Sequence, residues 1–200
     1  MGGITIRCKC GIVSGTLDDA ALRRHNHLRC YCRDCRAFAL YAGNEATLDA
    51  QGGTEIVQVN CADVEITEGE ESVACVNLKE GGLPRFYASC CNTPIGNAPG
   101  PGMPFIGLIH DCLQPADQLE NCFGPVKMLA FTGSATGDDK PRSKGLVAGI
   151  LRFVLMTLGA KLRGDGKRHP FFDASGQLSV SLVVLTEAER ERLTDRRAVL

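Results

Sequence analysis

Three cysteines lie within six residues of this chain: Cys30, Cys32 and Cys35, in the run Cys-Tyr-Cys-Arg-Asp-Cys. Thiol groups this close in sequence can bind one metal ion without help from distant residues. Zinc takes thiolate ligands at about 2.3 Å, and a zinc site with three protein ligands keeps its fourth position open. The spacing therefore predicts a reactive metal centre rather than a closed structural one.

Four more cysteines form two close pairs. Cys8 and Cys10 are two residues apart, whereas Cys90 and Cys91 are adjacent. Residues two apart in a strand share a face, and adjacent residues point to opposite faces. A four-cysteine site therefore requires a sharp backbone turn at Cys90 and Cys91. Without that turn, the alternatives are a three-cysteine site completed by water or no second metal.

Disulfide bonds and simple burial are the alternative explanations for the cysteines. The chain has eleven, an odd number, and residues 1–7 lack the apolar segment of a secretory signal. The default is then a reducing compartment, where clustered cysteines usually indicate metal or redox chemistry. We therefore predict a cytoplasmic protein. Isolated cysteines are usually small buried apolar residues, an interpretation that applies to Cys61, Cys75, Cys112 and Cys122.

Composition narrows the class of protein. Two hundred residues form one large domain or a domain with an appendage, and 44% apolar with 22% charged residues can form a core. The net charge of −1 argues against general nucleic-acid binding, and the absence of Trp leaves no evident platform for stacking bases. Twenty-three glycines imply many turns, which favours a mainly β fold.

Strand patterns dominate the first half of the chain. Thr5–Cys10 alternates, and a glycine separates it from a second strand, Ile12–Leu17. Asp34–Tyr41 has the pattern of a short helix. Asp34 could cap this helix, and the amides at its N-terminus would favour the thiolate form of Cys35. Further strands are predicted at Thr54–Asn60, Val64–Thr67, Val73–Leu78, Arg85–Ala88 and Phe105–Ile109.

The second half contains a long basic helix. A polar linker over residues 133–140 precedes a helical pattern that begins near Ser143, and Arg152 in its middle excludes a membrane span. The helix could dock on the β domain, form a dimer interface or lie on a membrane surface. Docking is the prediction, since amphipathic helices usually face their own core. The apolar stripe consists of Val147, Ile150, Leu151, Val154, Leu155, Leu158 and Leu162.

A strand and a terminal helix follow. Leu178–Leu185 alternates as a strand, and Thr186 with Glu189 forms a capping box that opens a helix, Glu187–Leu193. We therefore divide the chain into a zinc-binding β domain, residues 1–132, and an extension, residues 133–200. The extension comprises the linker, the basic helix, the strand and the terminal helix, and we expect it to pack on the β domain.

The order of three motifs resembles that of a known protein family. Cys-Lys-Cys-Gly stands at 8–11, Cys-Tyr-Cys-Arg-Asp-Cys-Arg at 30–36 and Cys-Asn-Thr-Pro-Ile at 91–95. Glutathione-dependent formaldehyde-activating enzymes and their centromere protein V relatives carry similar motifs in the same order. The resemblance covers roughly residues 4–110. It implies a β-tent fold, which is mainly β, with two antiparallel sheets joined around zinc.

The resemblance also implies two zinc sites. In that family the middle motif holds a catalytic zinc, and the ligands implied here are Cys30, Cys32 and Cys35. The outer motifs together hold a structural zinc, and the ligands implied for it are Cys8, Cys10 and Cys91.

The third motif departs from the family pattern. Its first cysteine falls on Ala88 in this chain, so Cys90 would have to replace it. Asn92 stands where the family usually has glycine. Asparagine tolerates a left-handed backbone better than most residues, so we expect the turn to survive this change.

The leading functional hypothesis is a zinc enzyme of the carbon–sulfur lyase type. The resemblance implies reversible joining of formaldehyde to the thiol of glutathione. Three thiolates leave the zinc site with one net negative charge, and coordination of a substrate sulfur would lower its pKa. Arginine side chains could hold the substrate carboxylates, although surface ion pairs explain them equally well: Arg33, Arg36 and Arg85.

Other functions stay open from the sequence. The chain could be a non-catalytic, zinc-stabilised binding module whose basic helix contacts a partner or the same helix of a homodimer. Alternatively, Cys90 and Cys91 could act as a redox or metal-sensing pair. His25 and His27 could add a zinc ligand or a general base, but loop histidines beside polar neighbours are usually just exposed.

Overall fold

Short strands separated by turns form the first half of the chain, and the computed structural model describes residues 4–173 and 175–195. The strands in this part of the chain are β1 Thr5–Arg7, β2 Ser14–Leu17, β3 Asn26–Cys30, β4 Thr54–Asn60, β5 Val64–Glu68, β6 Val73–Asn77, β7 Arg85–Ala88, β8 Thr93–Asn97, β9 Phe105–Ile109, β10 Leu113–Gln114, β11 Met128–Ala130 and β12 Ser181–Val184. The helices are α1 Asp19–Arg23, α2 Arg33–Tyr41, α3 Leu119–Phe123, α4 Leu146–Arg163 and α5 Glu187–Asp195.

The strands form two sheets, which confirms the mainly β fold. One is a four-stranded antiparallel sheet with the order β10-β1-β2-β5. The other has eight strands in the order β11-β3-β4-β9-β8-β7-β6-β12. In this larger sheet β11 pairs with β3, and β12 with β6, in parallel. The two parallel edge strands differ from the antiparallel sheets implied above, and each follows the long chain excursion that parallel pairing requires.

Two apolar clusters hold these elements together. The first lies between the sheets and includes Ile6 of β1 and Val57 of β4, both fully buried. The second lies on the other face of the large sheet, where Phe38 of α2 packs with Cys30 and Cys35. The cysteine triplet is therefore part of the helix–sheet packing. The isolated cysteines lie in or against the first cluster, as predicted: Cys61, Cys75, Cys112 and Cys122.

Helix α4 packs on the large sheet, but not through its apolar stripe. Its inner face carries the buried residues Gly149 and Ala160, and Arg152 donates a hydrogen bond to Asn26 Oδ1 at 3.1 Å. Phe153 contacts Phe105 edge-on, with ring centroids 4.8 Å apart. The predicted docking of the stripe is wrong, since its seven side chains are 48–83% exposed. The small inner residues let the helix backbone approach the sheet and turn the stripe outward.

The chain after α4 returns to the core. Phe171 stacks on Phe86 with ring centroids 4.1 Å apart, which anchors this segment between the sheets. The predicted C-terminal strand is the shorter β12, and the capping box of α5 is confirmed. Thr186 N–H donates to Glu189 Oε2 at 2.9 Å, and Glu189 N–H donates to Thr186 Oγ1 at 3.3 Å. The boundary at residue 132 stays a prediction.

Within the described residues, no helix has both the length and the apolar character needed to cross a membrane.

Candidate metal centres

The triad, defined as Cys30, Cys32 and Cys35, lies where β3 ends and α2 begins. Cys30 is the last residue of β3, which is held between β4 and β11, and Cys35 lies in the first turn of α2. The three Sγ atoms all lie within 4.8 Å of one another. Cys30 and Cys35 are buried and Cys32 is partly exposed, so solvent reaches the triad at Cys32.

Cys32, and not Asp34 as predicted, caps helix α2. Its Sγ accepts a hydrogen bond from the backbone N–H of Cys35 at 3.3 Å. Hydrogen bonds from the neighbouring thiols lower the pKa of Cys32, and this amide and the charge of Arg85 lower it further. The thiolate favoured by the helix N-terminus is therefore that of Cys32 rather than Cys35, because the amides in the first turn are directed at the capping residue.

The tetrad, defined as Cys8, Cys10, Cys90 and Cys91, brings the two close pairs together. The Sγ–Sγ distances are 3.5 Å for Cys8–Cys10, 3.3 Å for Cys10–Cys90, and 3.9 Å for both Cys8–Cys90 and Cys90–Cys91. Four sulfurs placed tetrahedrally at about 2.3 Å from one zinc ion lie about 3.8 Å from each other. The spacing in the tetrad therefore fits a four-thiolate zinc site.

Two turns produce the tetrad. Strand β1 ends at Arg7, and the turn that follows is closed by a hydrogen bond from Gly11 N–H to the Cys8 carbonyl at 3.0 Å. The sequence predicts that Cys8 and Cys10 lie on one face of a strand. Instead, they approach each other through this turn. After β7 the backbone turns sharply, and Asn92 has the left-handed φ of 54° that its position predicts.

Thr93 supports the tetrad, although the cysteine spacing does not indicate it. Its Oγ1 accepts a hydrogen bond from Lys9 N–H at 2.9 Å and lies 3.1 Å from Cys91 Sγ. Burial raises the pKa of Cys91, but hydrogen bonds from the Thr93 hydroxyl and from backbone amides lower it to about 6. In the sequence, the feature that could have indicated Thr93 is its position two residues after Cys91, because a hydroxyl there can donate to the thiolate.

The three predicted substrate-binding arginines lie in different environments. Arg33 is exposed at the start of α2, whereas Arg36 is buried and donates to the Ser134 carbonyl at 3.0 Å. Arg85 is 3% exposed, and its Nη2 lies 3.9 Å from Asp34 Oδ2. Among the described residues, none provides a hydrogen-bond partner for Nη1 of Arg85. Substrate binding by these arginines stays a prediction.

The two histidines before the triad are engaged elsewhere. His25 Nε2 lies 2.9 Å from the Phe123 carbonyl, and its Nδ1 lies 3.3 Å from the Ala21 carbonyl. His27 is buried in β3, with Nδ1 2.7 Å from the Gly124 carbonyl and Nε2 2.9 Å from Glu55 Oε1. Because every ring nitrogen faces a protein oxygen, neither histidine offers a ligand to the triad.

Comparison with known protein families decides the classification of the chain. A model of a family of unknown function, DUF6151, matches residues 2–179, a range that contains the triad and the tetrad. The chain belongs to this family. The DUF6151 match also spans α4, whereas the three quoted motifs end at residue 95.

The other comparisons add no function. No curated protein matches the chain. Among solved structures, a crystal structure of a Rhodobacter sphaeroides protein matches with a TM-score of 0.41 and 16% identity, over 63% of this chain and 98% of that one. The resemblance to formaldehyde-activating enzymes rests on the three motifs alone.

Proposed function

We propose that this DUF6151 protein is a zinc–thiolate enzyme in which the triad binds and activates a small thiol. One observation carries this proposal. The triad places three thiols within 4.8 Å of one another, and among the described residues no fourth cysteine, histidine or carboxylate joins the group. An ion held by three protein ligands keeps a position for a substrate sulfur. The tetrad, by contrast, offers four ligands and would form a closed structural site.

The protein contributes the environment of the triad. When bound there, Zn²⁺ would lower the pKa of a substrate thiol that joins it. The Cys35 amide donates to Cys32 and favours its thiolate form, while packing against Phe38 shields Cys30 and Cys35 from water. The buried guanidinium of Arg85 supplies positive charge near this anionic group, and its charge lowers the pKa of Cys32.

The reaction we propose is addition of a thiol to a small aldehyde, with glutathione and formaldehyde as the pair to test. This choice rests on the resemblance of the three motifs. In the addition, the thiolate sulfur forms a bond to the carbonyl carbon and the carbonyl π bond breaks. The oxygen takes up a proton, which balances the proton lost by the thiol.

Exchange spectroscopy by NMR tests this proposal with the zinc-loaded full chain. The protein should accelerate exchange between ¹³C-formaldehyde and its glutathione adduct, and Cys32→Ser should reduce that acceleration at least about 100-fold because a zinc ligand is lost. Cys122→Ser is the matched control, since Cys122 lies outside both cysteine groups. Equal rates for wild type and Cys32→Ser, or no acceleration by zinc-loaded wild type, would contradict the proposal.

A further inference from the structure

Helix α4 presents an apolar face to solvent, and nothing in the described part of the chain covers it. Between Val147 and Leu158 the one charged residue is Arg152, which lies on the inner side of the helix and donates to Asn26, and Lys161 follows in the last turn. The face is defined by the same seven side chains as the apolar stripe: Val147, Ile150, Leu151, Val154, Leu155, Leu158 and Leu162, which are 48–83% exposed.

The size of this face matches one half of a protein interface. Exposures of half to four-fifths on side chains of this size leave on the order of 700 Å² of apolar surface, whereas the largest apolar patch on a typical monomer is about 300–600 Å². Each partner in a stable complex of standard size contributes about 800 Å². A second copy of this face would therefore supply the area that a stable dimer needs.

The spacing within the face is that of paired helices. Val147, Leu151, Val154 and Leu158 are separated by four, three and four residues, the spacing with which two helices interlock their side chains. None of the seven side chains is aromatic, although helices that lie on membranes commonly anchor themselves with aromatic residues. The face thus has the composition of a helix–helix seam.

The face is also held rigid before any partner arrives. On the opposite side of the helix, Phe153 packs on Phe105 and Arg152 donates to Asn26. Association therefore orders few additional groups, which lowers the entropy lost on binding. The basic residues near the two ends of α4 would lie at the rim of the interface, where solvent screens their repulsion.

We propose that the outward face of α4 binds the same face of a second copy of this chain and forms a two-fold symmetric homodimer. Each copy contributes identical side chains, as a two-fold interface requires. The interface involves neither the triad nor the tetrad, so the dimer stands or falls independently of the zinc–thiolate enzyme proposed above.

Sedimentation velocity on the full chain, from about 1 to 100 µM, tests the dimer. Wild type should sediment as a dimer within this range. Leu151→Glu with Leu155→Glu should raise the dissociation constant at least about 100-fold, because the dimer would bury two charges per copy. The matched control is Ile12→Glu, which changes a 50% exposed side chain next to β2 of the four-stranded sheet, whereas α4 packs on the eight-stranded sheet, and it should leave the dimer intact.

Two results would overturn the dimer. One is a monomeric wild type throughout the concentration range, and this result needs no variant to fold. If that monomer also cosediments with phosphatidylserine vesicles while the Leu151→Glu, Leu155→Glu variant does not, the face belongs to a lipid surface. The other result is a dimer whose dissociation constant the Leu151→Glu, Leu155→Glu variant leaves unchanged, which would place the interface elsewhere.

Discussion

Arg85 is a buried guanidinium whose Nη1 has no hydrogen-bond partner among the described residues. A guanidinium stays charged when buried, and a buried charge without a counter-charge strongly destabilises a fold. The carboxylate of Asp34 lies 3.9 Å away, which is too far for a hydrogen bond. Hydrogen bonds among the thiols dominate the pKa values of the triad, where that of Cys32 is lowered and that of Cys35 is raised to about 11. The charge of Arg85 acts to lower both, which places Arg85 beside the triad. A metal held by three thiolates would add negative charge to the partial compensation that Asp34 supplies.

Replacing Arg85 should therefore weaken zinc binding at the triad. In a Cys10→Ser, Cys90→Ser background, which leaves only two thiols in the tetrad, Arg85→Gln should lower the zinc affinity at the triad at least about tenfold, as loss of a group supporting metal ligands typically does. Arg85→Lys should retain most of the affinity because the charge remains. Competition with a chromophoric chelator measures the affinity, and Arg33→Gln, at an exposed position, is the control. An unchanged affinity for Arg85→Gln would show that its charge does not act on the metal.

His169 should make the fold sensitive to acid. Burial lowers its pKa from 6.5 to about 4, so the unfolded state binds more protons between these values. Stability is then complete above pH 6.5 and falls as the pH drops towards 4, by up to about 3 kcal/mol. Urea unfolding across this range should show a smaller loss for His169→Asn, which keeps an acceptor for the Phe171 N–H. If the free energy of unfolding falls by the same amount in both proteins between pH 6.5 and pH 4, His169 is not the cause of the acid sensitivity.

Among the secondary-structure elements, helix α4 contains two glycines that differ in whether the fold needs them: Gly149 packs against the sheet, and Gly159 does not. A Cβ at Gly149 would overlap the Met128 side chain on the large sheet, whereas a Cβ at Gly159 would meet only the end of Arg163, at 3.3 Å from Nη1. Gly149→Ala should therefore destabilise the protein by about 1–3 kcal/mol through overpacking. Gly159→Ala should be neutral or stabilising by up to about 1 kcal/mol, because alanine is the better helix former.

The free energy of unfolding in urea measures both variants. Similar destabilisation by the two would mean that helix flexibility, and not the contact with Met128, explains the glycine at position 149.

Helix α2 and the tetrad show how far the sequence alone predicts this structure. Close spacing predicts that Cys30, Cys32 and Cys35 meet, since six residues cannot separate them widely. It does not predict that Cys32 caps the helix, because capping depends on the backbone angles where the strand ends. The meeting of Cys8 with Cys90 depends on contacts across the two sheets, which only the motif resemblance suggests.

Helix α4 shows that sequence periodicity does not predict which face of a helix packs on the protein. Its periodicity predicts the helix and its apolar stripe correctly, but periodicity does not say which face meets the protein. The inner face carries Gly149 and Ala160, and small residues contribute little to an apolar pattern. The sequence therefore predicts that the apolar stripe faces the core, whereas the side with small residues, which permits close approach, packs on the sheet.

For the whole molecule, the tetrad connects the two sheets. Cys8 follows β1 of the four-stranded sheet, and Cys90 and Cys91 follow β7 of the eight-stranded sheet. Lys9 N–H and Thr93 Oγ1 add a hydrogen bond across the same junction. A metal ion bound by these cysteines would therefore cross-link the sheets and stabilise the folded state relative to the unfolded chain.

Removing metal should accordingly lower the melting temperature through the tetrad. A strong chelator should lower the Tm of wild type by at least about 5 °C, since binding to the folded state alone contributes several kcal/mol. The double variant Cys10→Ser, Cys90→Ser should already melt at the lower temperature and respond little to chelator, whereas Cys32→Ser should keep most of the response. Equal responses from both variants would contradict a structural role specific to the tetrad.

The zinc content of the full-length protein tests the two-site account most directly. Mass spectrometry of the purified, zinc-supplied chain should give about two zinc ions per chain, falling to about one in Cys32→Ser and in the double variant Cys10→Ser, Cys90→Ser, which each leave two thiols at one site, and staying at two in Cys122→Ser. A chain that binds no zinc when zinc is supplied would contradict both sites. A stoichiometry that neither Cys32→Ser nor the Cys10→Ser, Cys90→Ser variant changes would show that the triad and the tetrad are not where the metal binds.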